Sequence, residues 1–295
     1  MRREYPVLGE PMADPGCTFR PKPSTRPGRV TRVALVRSEP GQIWRLTLNR
    51  PDARNAVTSP MLEELTRALG EAAADPEARV VLLSGEGPDF CAGSDLVELN
   101  QAAEGSTGML YARPLETFLT AVVEHPLPVI ASVQGAALGA GCQIAVACDL
   151  AVAATDSRFG IPSSRLGVVI GFENIERLAL AVGPKRASEM LLTGLELSGE
   201  EAAAWGLVNE AVPPDELRAR SDSLAEDVAA GAPLSVRASK RGLHDVMAKL
   251  SLAGETERNP RTDFEMMAAD ALSSDDLREG IRAFMERRRP EFRGR

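Results

Sequence analysis

Residues 134–149 read QGAALGAGCQIAVACD, a loop of small residues that leads into an apolar helix with one polar side chain, Gln143. The loop follows PVIASV (128–133), a short apolar run that predicts a buried strand. Small residues let a ligand approach the main chain, and the free N–H groups at a helix start favour negative charge. The stretch therefore predicts a binding site built largely from main chain.

A second stretch, PDFCAGSDL (88–96), has the same arrangement. It follows RVVLLSG (79–85), a predicted strand that ends at glycine, and it leads into a helix near Asp95. Two N–H groups that meet at one point would form an oxyanion hole, which stabilises negative charge on a carbonyl oxygen. The alternative is that both loops are tight turns with good helix starts and no further role.

The remaining patterns predict an α/β fold, because strands alternate with helices. TRVALVR (31–37) and IWRLTLN (43–49) predict a hairpin, and DLAVAA (149–154) predicts another buried strand. A helix opens at Ser59-Pro60 and places apolar residues on one face: Met61, Leu62, Leu65 and Leu69. We expect a proline-rich, basic and flexible arm at 1–29, a core at 30–205 and a helical subdomain at 206–295.

Composition excludes several classes of function. The chain has 295 residues, 44% of them hydrophobic, and a formal charge of -8, which argues against a role on nucleic acid or membranes. No apolar run reaches the roughly 18 residues that span a bilayer, and no secretory signal is expected. Four cysteines without a CxxC pair predict free thiols in a reducing cytoplasm and no metal site. We expect a structural role for His125 and a solvated His244.

From about residue 30 to its end, the sequence resembles the enoyl-CoA hydratase/isomerase (crotonase) superfamily. The matching stretches occur in the family's order. They are LNRPDARNAV (48–57), FCAGSDL (90–96), GAALGAGCQIAVACDL (135–150), RFGIPSSRLGVV (158–169), GPKRASEMLLTG (183–194), EEAAAWGLVNEAVP (200–213) and REGIRAFMERRRPEF (278–292). The resemblance implies a spiral of ββα units with a C-terminal helical region that forms trimers, often paired into hexamers.

The same resemblance implies a coenzyme A thioester as substrate or ligand, with no other cofactor. The oxyanion donors would be the main-chain N–H groups of Ser94 and Ala140. Arg54 matches a position that touches CoA phosphates, and the carbonyl of Ala92 matches one that meets the adenine. Asp95 would lie near the ligand or serve only as a helix-start acid.

Hydratases of the family use two glutamates, and this sequence has Gln143 and Ser163 at those positions. An amide has no proton equilibrium near neutral pH, and each general acid–base group typically contributes about 10²–10⁴-fold. Glu173 is either a substitute base beside the acyl chain or an outward acid in a first helical turn. Ser164 and Arg165 are possible polar neighbours or ordinary loop residues, and Cys142 is expected to lie in the core.

Three hypotheses follow. The first is an enzyme that acts on an acyl-CoA through an enolate held in the oxyanion hole, as an isomerase, lyase or hydrolase. The second is a non-catalytic acyl-CoA binding or delivery protein in lipid metabolism. GCQIAVACDL, IPSSRLG and ENIERL also resemble a narrower branch that lacks both glutamates and includes a member regarded as binding acyl-CoA without hydrating it. A standard hydratase is the least favoured hypothesis.

Overall fold

The computed structural model describes residues 34–104, 108–252 and 260–293, so the predicted arm at 1–29 lies outside the described residues. Nine strands occur in this part of the chain. They are β1 (Val36–Glu39), β2 (Ile43–Leu48), β3 (Val80–Gly85), β4 (Val129–Val133), β5 (Ala136–Leu138), β6 (Leu150–Ala154), β7 (Arg158–Gly160), β8 (Glu196–Ser198) and β9 (Glu210–Val212).

Twelve α-helices occur in the same residues, after a short 3-10 turn at Pro51–Ala53. The first six are α1 (Ser59–Ala74), α2 (Leu96–Glu104), α3 (Gly108–Val123), α4 (Ala140–Ala147), α5 (Ser163–Leu166) and α6 (Phe172–Val182). The others are α7 (Pro184–Thr193), α8 (Gly199–Trp205), α9 (Leu217–Ala230), α10 (Pro233–Leu252), α11 (Pro260–Ser273) and α12 (Asp275–Met285). No helix in the described residues is long and apolar enough to span a membrane.

The main sheet has six strands in the order β1-β2-β3-β4-β6-β9. The predicted hairpin is confirmed, since β1 and β2 pair antiparallel. All later pairs in this sheet are parallel. In β2 the buried and half-buried residues alternate, whereas every residue of β4 is buried. This difference is expected between a strand with one face more exposed and a strand covered on both faces.

Helix α1 covers the sheet with the predicted face. Met61, Leu62, Leu65 and Leu69 are all buried in the main hydrophobic core. Pro60 occupies the first turn, where a missing N–H leaves no helical hydrogen bond unmade. Buried residues of α3, α4 and α6 join the same core.

A second sheet has three strands in the order β5-β7-β8, and its strand β5 directly precedes α4 in the chain. β5 pairs parallel with β7, and the amide of Gly139 then donates to the carbonyl of Gly160 at 2.8 Å. The loop before α4 is therefore fixed to the end of β7, two residues before Pro162.

The sheet extends beyond the domain boundary predicted at 205. β9 pairs with β6 and forms the edge of the main sheet. The described residues from Ala34 onward form one compact unit. A three-residue edge strand carries too weak a periodicity to separate it from the helical segments that follow.

Candidate active site

The two predicted loops run side by side through main-chain pairing. Cys91 and Ala137 form an isolated parallel bridge, in which the Cys91 amide donates to Ala136 at 2.8 Å and the Leu138 amide donates to Cys91 at 3.0 Å. Ser94 and Ala140 each follow three residues after this bridge. The pairing therefore brings the two proposed donors to matching places on adjacent loops.

The orientation of Ser94 follows from a second parallel bridge, with Val57. The Val57 amide donates to Gly93 at 2.8 Å, and the Asp95 amide donates to Val57 at 2.9 Å. Ser94 lies between these two hydrogen bonds, and in a parallel pair a residue at that place directs its own N–H away from the partner segment. In the described chain the Ser94 amide donates no hydrogen bond, so this donor is available to a ligand.

Ala140 is the first residue of α4, so its N–H has no acceptor within the helix. Gly139 precedes it with φ 53 and ψ -115, a conformation that favours glycine. A Cβ on Gly93 would lie 3.2 Å from the Leu138 carbonyl oxygen, and one on Gly141 would lie 2.2 Å from that of Cys91. Glycine therefore allows the two loops to touch, and their two unused donors lie at this contact.

Gln143 lies one turn into α4 and is 8% exposed. Its side-chain amide makes no hydrogen bond to another described residue. The amide is also not completely enclosed by protein. Its neighbour Cys142 is buried, and burial raises the pKa of that thiol to about 12. Cys142 is therefore a core residue, as predicted, and Gln143 is the polar group on this part of α4.

Ser163 begins α5 and is half-buried, with its amide donating to Ile161 at 2.8 Å. Ile161 directly follows β7, and the last residue of β7 accepts the hydrogen bond from Gly139. The end of β7 therefore positions both Ser163 and the start of α4. Ser164 and Arg165 are exposed, but they lie in the short helix α5 and not in a loop as the simpler prediction had it.

Glu173 is half-buried in the first turn of α6. Close to it is Glu116 of α3, which sequence reasoning missed. Burial, and then the charge of Glu173, raise the pKa of the Glu116 carboxyl. Asn174 Nδ2 donates to Glu116 Oε1 at 2.7 Å, across 58 residues of sequence. No local motif marks Glu116, because its partners come from a distant helix.

Arg54 and Ala92, the residues predicted to contact CoA, lie together. The Ala92 amide donates to the Arg54 carbonyl at 3.0 Å, and Arg54 adopts a left-handed conformation with φ 52. The Arg54 guanidinium donates to both carboxylate oxygens of Asp89. Its hydrogen bond is the main cause that lowers the pKa of Asp89. Sequence reasoning did not foresee this ion pair.

Asp95 has a structural function at the start of α2. Its Oδ1 accepts from the Val97 amide at 3.0 Å, and its Oδ2 accepts from Arg50 Nη2 at 3.0 Å. Burial opposes ionisation of Asp95, but the hydrogen bonds from Arg50 and the helix amides outweigh it and lower the pKa. The proposed place of Asp95 near a ligand stays a prediction.

The histidines are outside the site. His125 is buried between the carbonyls of Leu69 and Leu127, and burial lowers its pKa. This agrees with the structural role predicted for it. The prediction of a solvated His244 was wrong, because α10 leaves it half-buried and its Nδ1 is enclosed. Within the described ranges, no group of three or more His, Cys, Asp or Glu side chains could hold a metal ion.

Comparisons with known proteins agree with this fold. Residues 38–295 match the family model for enoyl-CoA hydratase/isomerase, and the chain therefore belongs to that family. Its architecture is the crotonase fold, an α/β fold with C-terminal helices.

Several relatives are named as hydratases. The chain is 36% identical over 266 residues to the 2,3-dehydroadipyl-CoA hydratase of Escherichia coli (strain K12), and the match covers 88% of this chain and 99% of the relative. It is 33% identical to the short-chain-enoyl-CoA hydratase of Clostridium acetobutylicum, over 87% of this chain and 96% of the relative.

Solved structures match over similar lengths. An enoyl-CoA hydratase from Mycobacterium avium subsp. paratuberculosis K-10 has a TM-score of 0.74 and 30% identity, over 88% of this chain and 99% of that one. A methylmalonyl-CoA decarboxylase in complex with 2-nitronate-propionyl-CoA has a TM-score of 0.80 and 25% identity, over 89% of this chain and 99% of that one.

Proposed function

We propose that this protein acts on an acyl-CoA thioester, whose carbonyl oxygen accepts hydrogen bonds from the Ser94 and Ala140 amides. The observation that carries the proposal is the pair of adjacent loops, each with a main-chain donor that has no acceptor in the described chain. Such donors stabilise an enolate as it forms, and each is typically worth about 3 kcal/mol of barrier. Arg54, beside Ala92, would bind the CoA portion, and no separate cofactor is required.

The chemistry we propose is not standard hydration, although several relatives carry hydratase names. Hydration needs groups that exchange protons with water and with the substrate carbon, and neither Gln143 nor Ser163 does so near neutral pH. Isomerisation, lyase or hydrolase chemistry passes through the same oxyanion and fits better. The sequence alone suggests Glu173 as a candidate proton-transfer group, and this residue is half-buried in the first turn of α6.

A second candidate is a non-catalytic acyl-CoA binding or delivery protein. It is favoured by the same two substitutions at 143 and 163, because the amide pair also binds a ground-state thioester. Acyl-CoA recovered intact by mass spectrometry after long incubation supports this candidate. Steady turnover of any thioester excludes it.

We also propose assembly into trimers or pairs of trimers. The described C-terminal helices expose apolar side chains that a monomer would leave in water. They include Leu234, Leu243, Val246, Met266, Met267, Phe284 and Met285. The free thiols Cys91 and Cys142 support a cytoplasmic location.

The test of the thioester site is Ala140→Pro, which removes one donor at a helix position where proline is tolerated. We expect calorimetry to show about 10-fold weaker binding of butyryl-CoA, because one hydrogen bond is lost. Binding of free CoA, which has no thioester oxygen, should change much less.

The matched control is Asp275→Pro, at the first residue of α12. It should leave both affinities unchanged. Equal butyryl-CoA affinity in Ala140→Pro and wild type would show that the Ala140 amide does not hold the thioester.

A further inference from the structure

A polar network joins α3 to α6, the two helices that pack against α4. Asn174 Nδ2 donates to Glu116 Oε1 at 2.7 Å, and Arg177 Nη1 donates to Asn174 Oδ1 at 2.6 Å. Asn174 is only 4% exposed, so the network is enclosed by protein on this side. Asn174 thus orients the Glu116 carboxylate, and the oxygen Oε2 receives no hydrogen bond from Asn174.

The Glu116 carboxylate occupies space that a side chain at residue 171 would fill. A Cβ at residue 171 would lie 2.5 Å from Glu116 Oε1, closer than any real contact of this kind. Gly171 is the residue before α6 and has φ -58, so its small size, not its conformation, is what the position requires. The Glu116 carboxylate therefore lies directly against the main chain where α6 begins.

The network is also next to the helix that carries the proposed oxyanion donor. Helix α4 packs against both α3 and α6, and the Glu116–Asn174 hydrogen bond connects these two helices. Ala140 and Gln143 are both on α4. A fixed, half-buried carboxylate that joins the two helices packed on α4 has what a proton-transfer group needs, whereas Gln143 and Ser163 lack a titrating group.

We propose that Glu116 is the proton-transfer group of this site, in place of the two missing glutamates. The proposal rests on the function proposed above. The Glu116 carboxylate takes a proton from the acyl carbon next to the thioester carbonyl. The electron pair of the broken C–H bond moves into an enolate, whose oxygen is held by the Ser94 and Ala140 amides. The proton then returns to the same carbon, or to a carbon further along an unsaturated chain, which shifts the double bond.

The surroundings of Glu116 suit a base that works near neutral pH. Within the described residues, the charged groups acting on it are Glu173 and Arg177, both on α6. Burial and the Glu173 charge raise the pKa of Glu116, and Arg177 and the Asn174 hydrogen bond partly oppose them. In this arrangement Glu173 adjusts the basicity of Glu116 and does not transfer the proton itself.

The experiment follows deuterium uptake at the acyl carbon next to the thioester, because this exchange requires only a base and an oxyanion hole. Butyryl-CoA and octanoyl-CoA are incubated with the full-length protein in D2O and analysed by mass spectrometry. Calorimetry with the same two thioesters measures binding separately. The variants are Glu116→Gln, which keeps an acceptor for Asn174, Glu173→Gln, and Glu189→Gln as a control on the exposed face of α7.

We expect Glu116→Gln to lose about 10²–10⁴-fold in exchange rate, with binding retained and Glu189→Gln equal to wild type. Exchange needs ionised Glu116, so the wild-type rate rises with pH through the pKa of this carboxyl. Glu173→Gln removes a negative charge that raises this pKa, so the rise moves to lower pH. A purely structural role for Glu116 would not produce this shift, and this measurement does not require Glu116→Gln to fold.

Three results with the variants would overturn the proposal: unchanged exchange in Glu116→Gln, loss of exchange in Glu173→Gln alone, or a pH profile that Glu173→Gln does not move. A wild-type protein that binds the thioesters without exchange would also overturn it, and the proposed binding site would stand. Failure to bind either thioester would instead reject the proposed function, together with this inference.

Discussion

The Arg54 guanidinium forms a bidentate ion pair with the Asp89 carboxylate, with Nε–Oδ2 at 2.7 Å and Nη2–Oδ1 at 3.0 Å. Asp89 Oδ1 also accepts from the Ala136 amide at 2.8 Å. One carboxylate therefore ties the turn that contains Arg54 to the start of β5, which leads into α4. The arginine proposed to bind CoA is thus fixed to the same framework as the proposed oxyanion donors.

Asp89→Asn tests this connection through the pH dependence of stability. The pKa of Asp89 is lower in the folded state than in the unfolded state, where it is about 4. Ionised Asp89 therefore adds to the free energy of unfolding above about pH 4, and this stabilisation is lost as the pH falls through the folded-state pKa. We expect a loss of about 1–3 kcal/mol at pH 7 by urea unfolding. The gap between wild type and variant should narrow in acid, and a gap that is the same at all pH values would contradict the ion-pair explanation.

Arg54→Gln tests the proposed contact with CoA. The Arg54 side chain remains 52% exposed beside Asp89, so the guanidinium is accessible to a phosphate. We expect about 10-fold weaker binding of butyryl-CoA by calorimetry, and a weaker dependence of affinity on salt, because one charge is lost. Arg67→Gln, on the exposed surface of α1, is the matched control. If Arg54→Gln and Arg67→Gln bind butyryl-CoA with equal affinity, Arg54 does not contact the CoA portion.

The double variant Gln143→Glu, Ser163→Glu tests the assignment of the two altered positions. It restores both carboxylates of the hydratase pattern, so we expect hydration of crotonyl-CoA to rise by about 10²-fold or more over wild type. Each single variant should gain less. A double variant that binds crotonyl-CoA but gains no hydration would argue that residues 143 and 163 do not both face the reacting carbons.

Lys240→Met tests how the C-terminal helices are held to the core. The Lys240 side chain of α10 is 8% exposed, and its ammonium group binds Asp149 at 2.7 Å and the carbonyls of Val122 and Leu127. Removing one partner of a buried ion pair costs about 3–5 kcal/mol, which thermal or urea unfolding would detect. Lys185→Met, at an exposed site, should change stability by less than about 0.5 kcal/mol. Similar stability in both variants would contradict this account.

The main features of the fold could be predicted because they depend on local periodicity. The apolar runs of β3, β4 and β6 and the buried face of α1 are visible in short windows of sequence. The two loops before α2 and α4 could be predicted for the same reason, since glycine and a helix start are both local signals. β9 was not separated from the C-terminal helices, because three residues carry little pattern.

Contacts between distant segments could not be predicted. Glu116 and Asn174 are 58 residues apart, and Arg54 and Asp89 are 35 apart. An isolated glutamate in a helix looks like any solvated charge, and only the packing of α3 against its neighbours reveals its partners. The sequence therefore suggested Glu173 alone as a substitute acid, whereas the structure adds Glu116 beside it.

The pairing of Cys91 with Ala137 has a consequence for how such a site changes over evolution. Because backbone pairing fixes the spacing of the two amides, the two N–H groups are present whichever side chains residues 94 and 140 carry. Substitutions at side-chain positions such as 143 and 163 then alter the reactive groups while the anchor for the ester oxygen survives. New reactions can arise one residue at a time on this scaffold, since no single exchange other than to proline removes an N–H group.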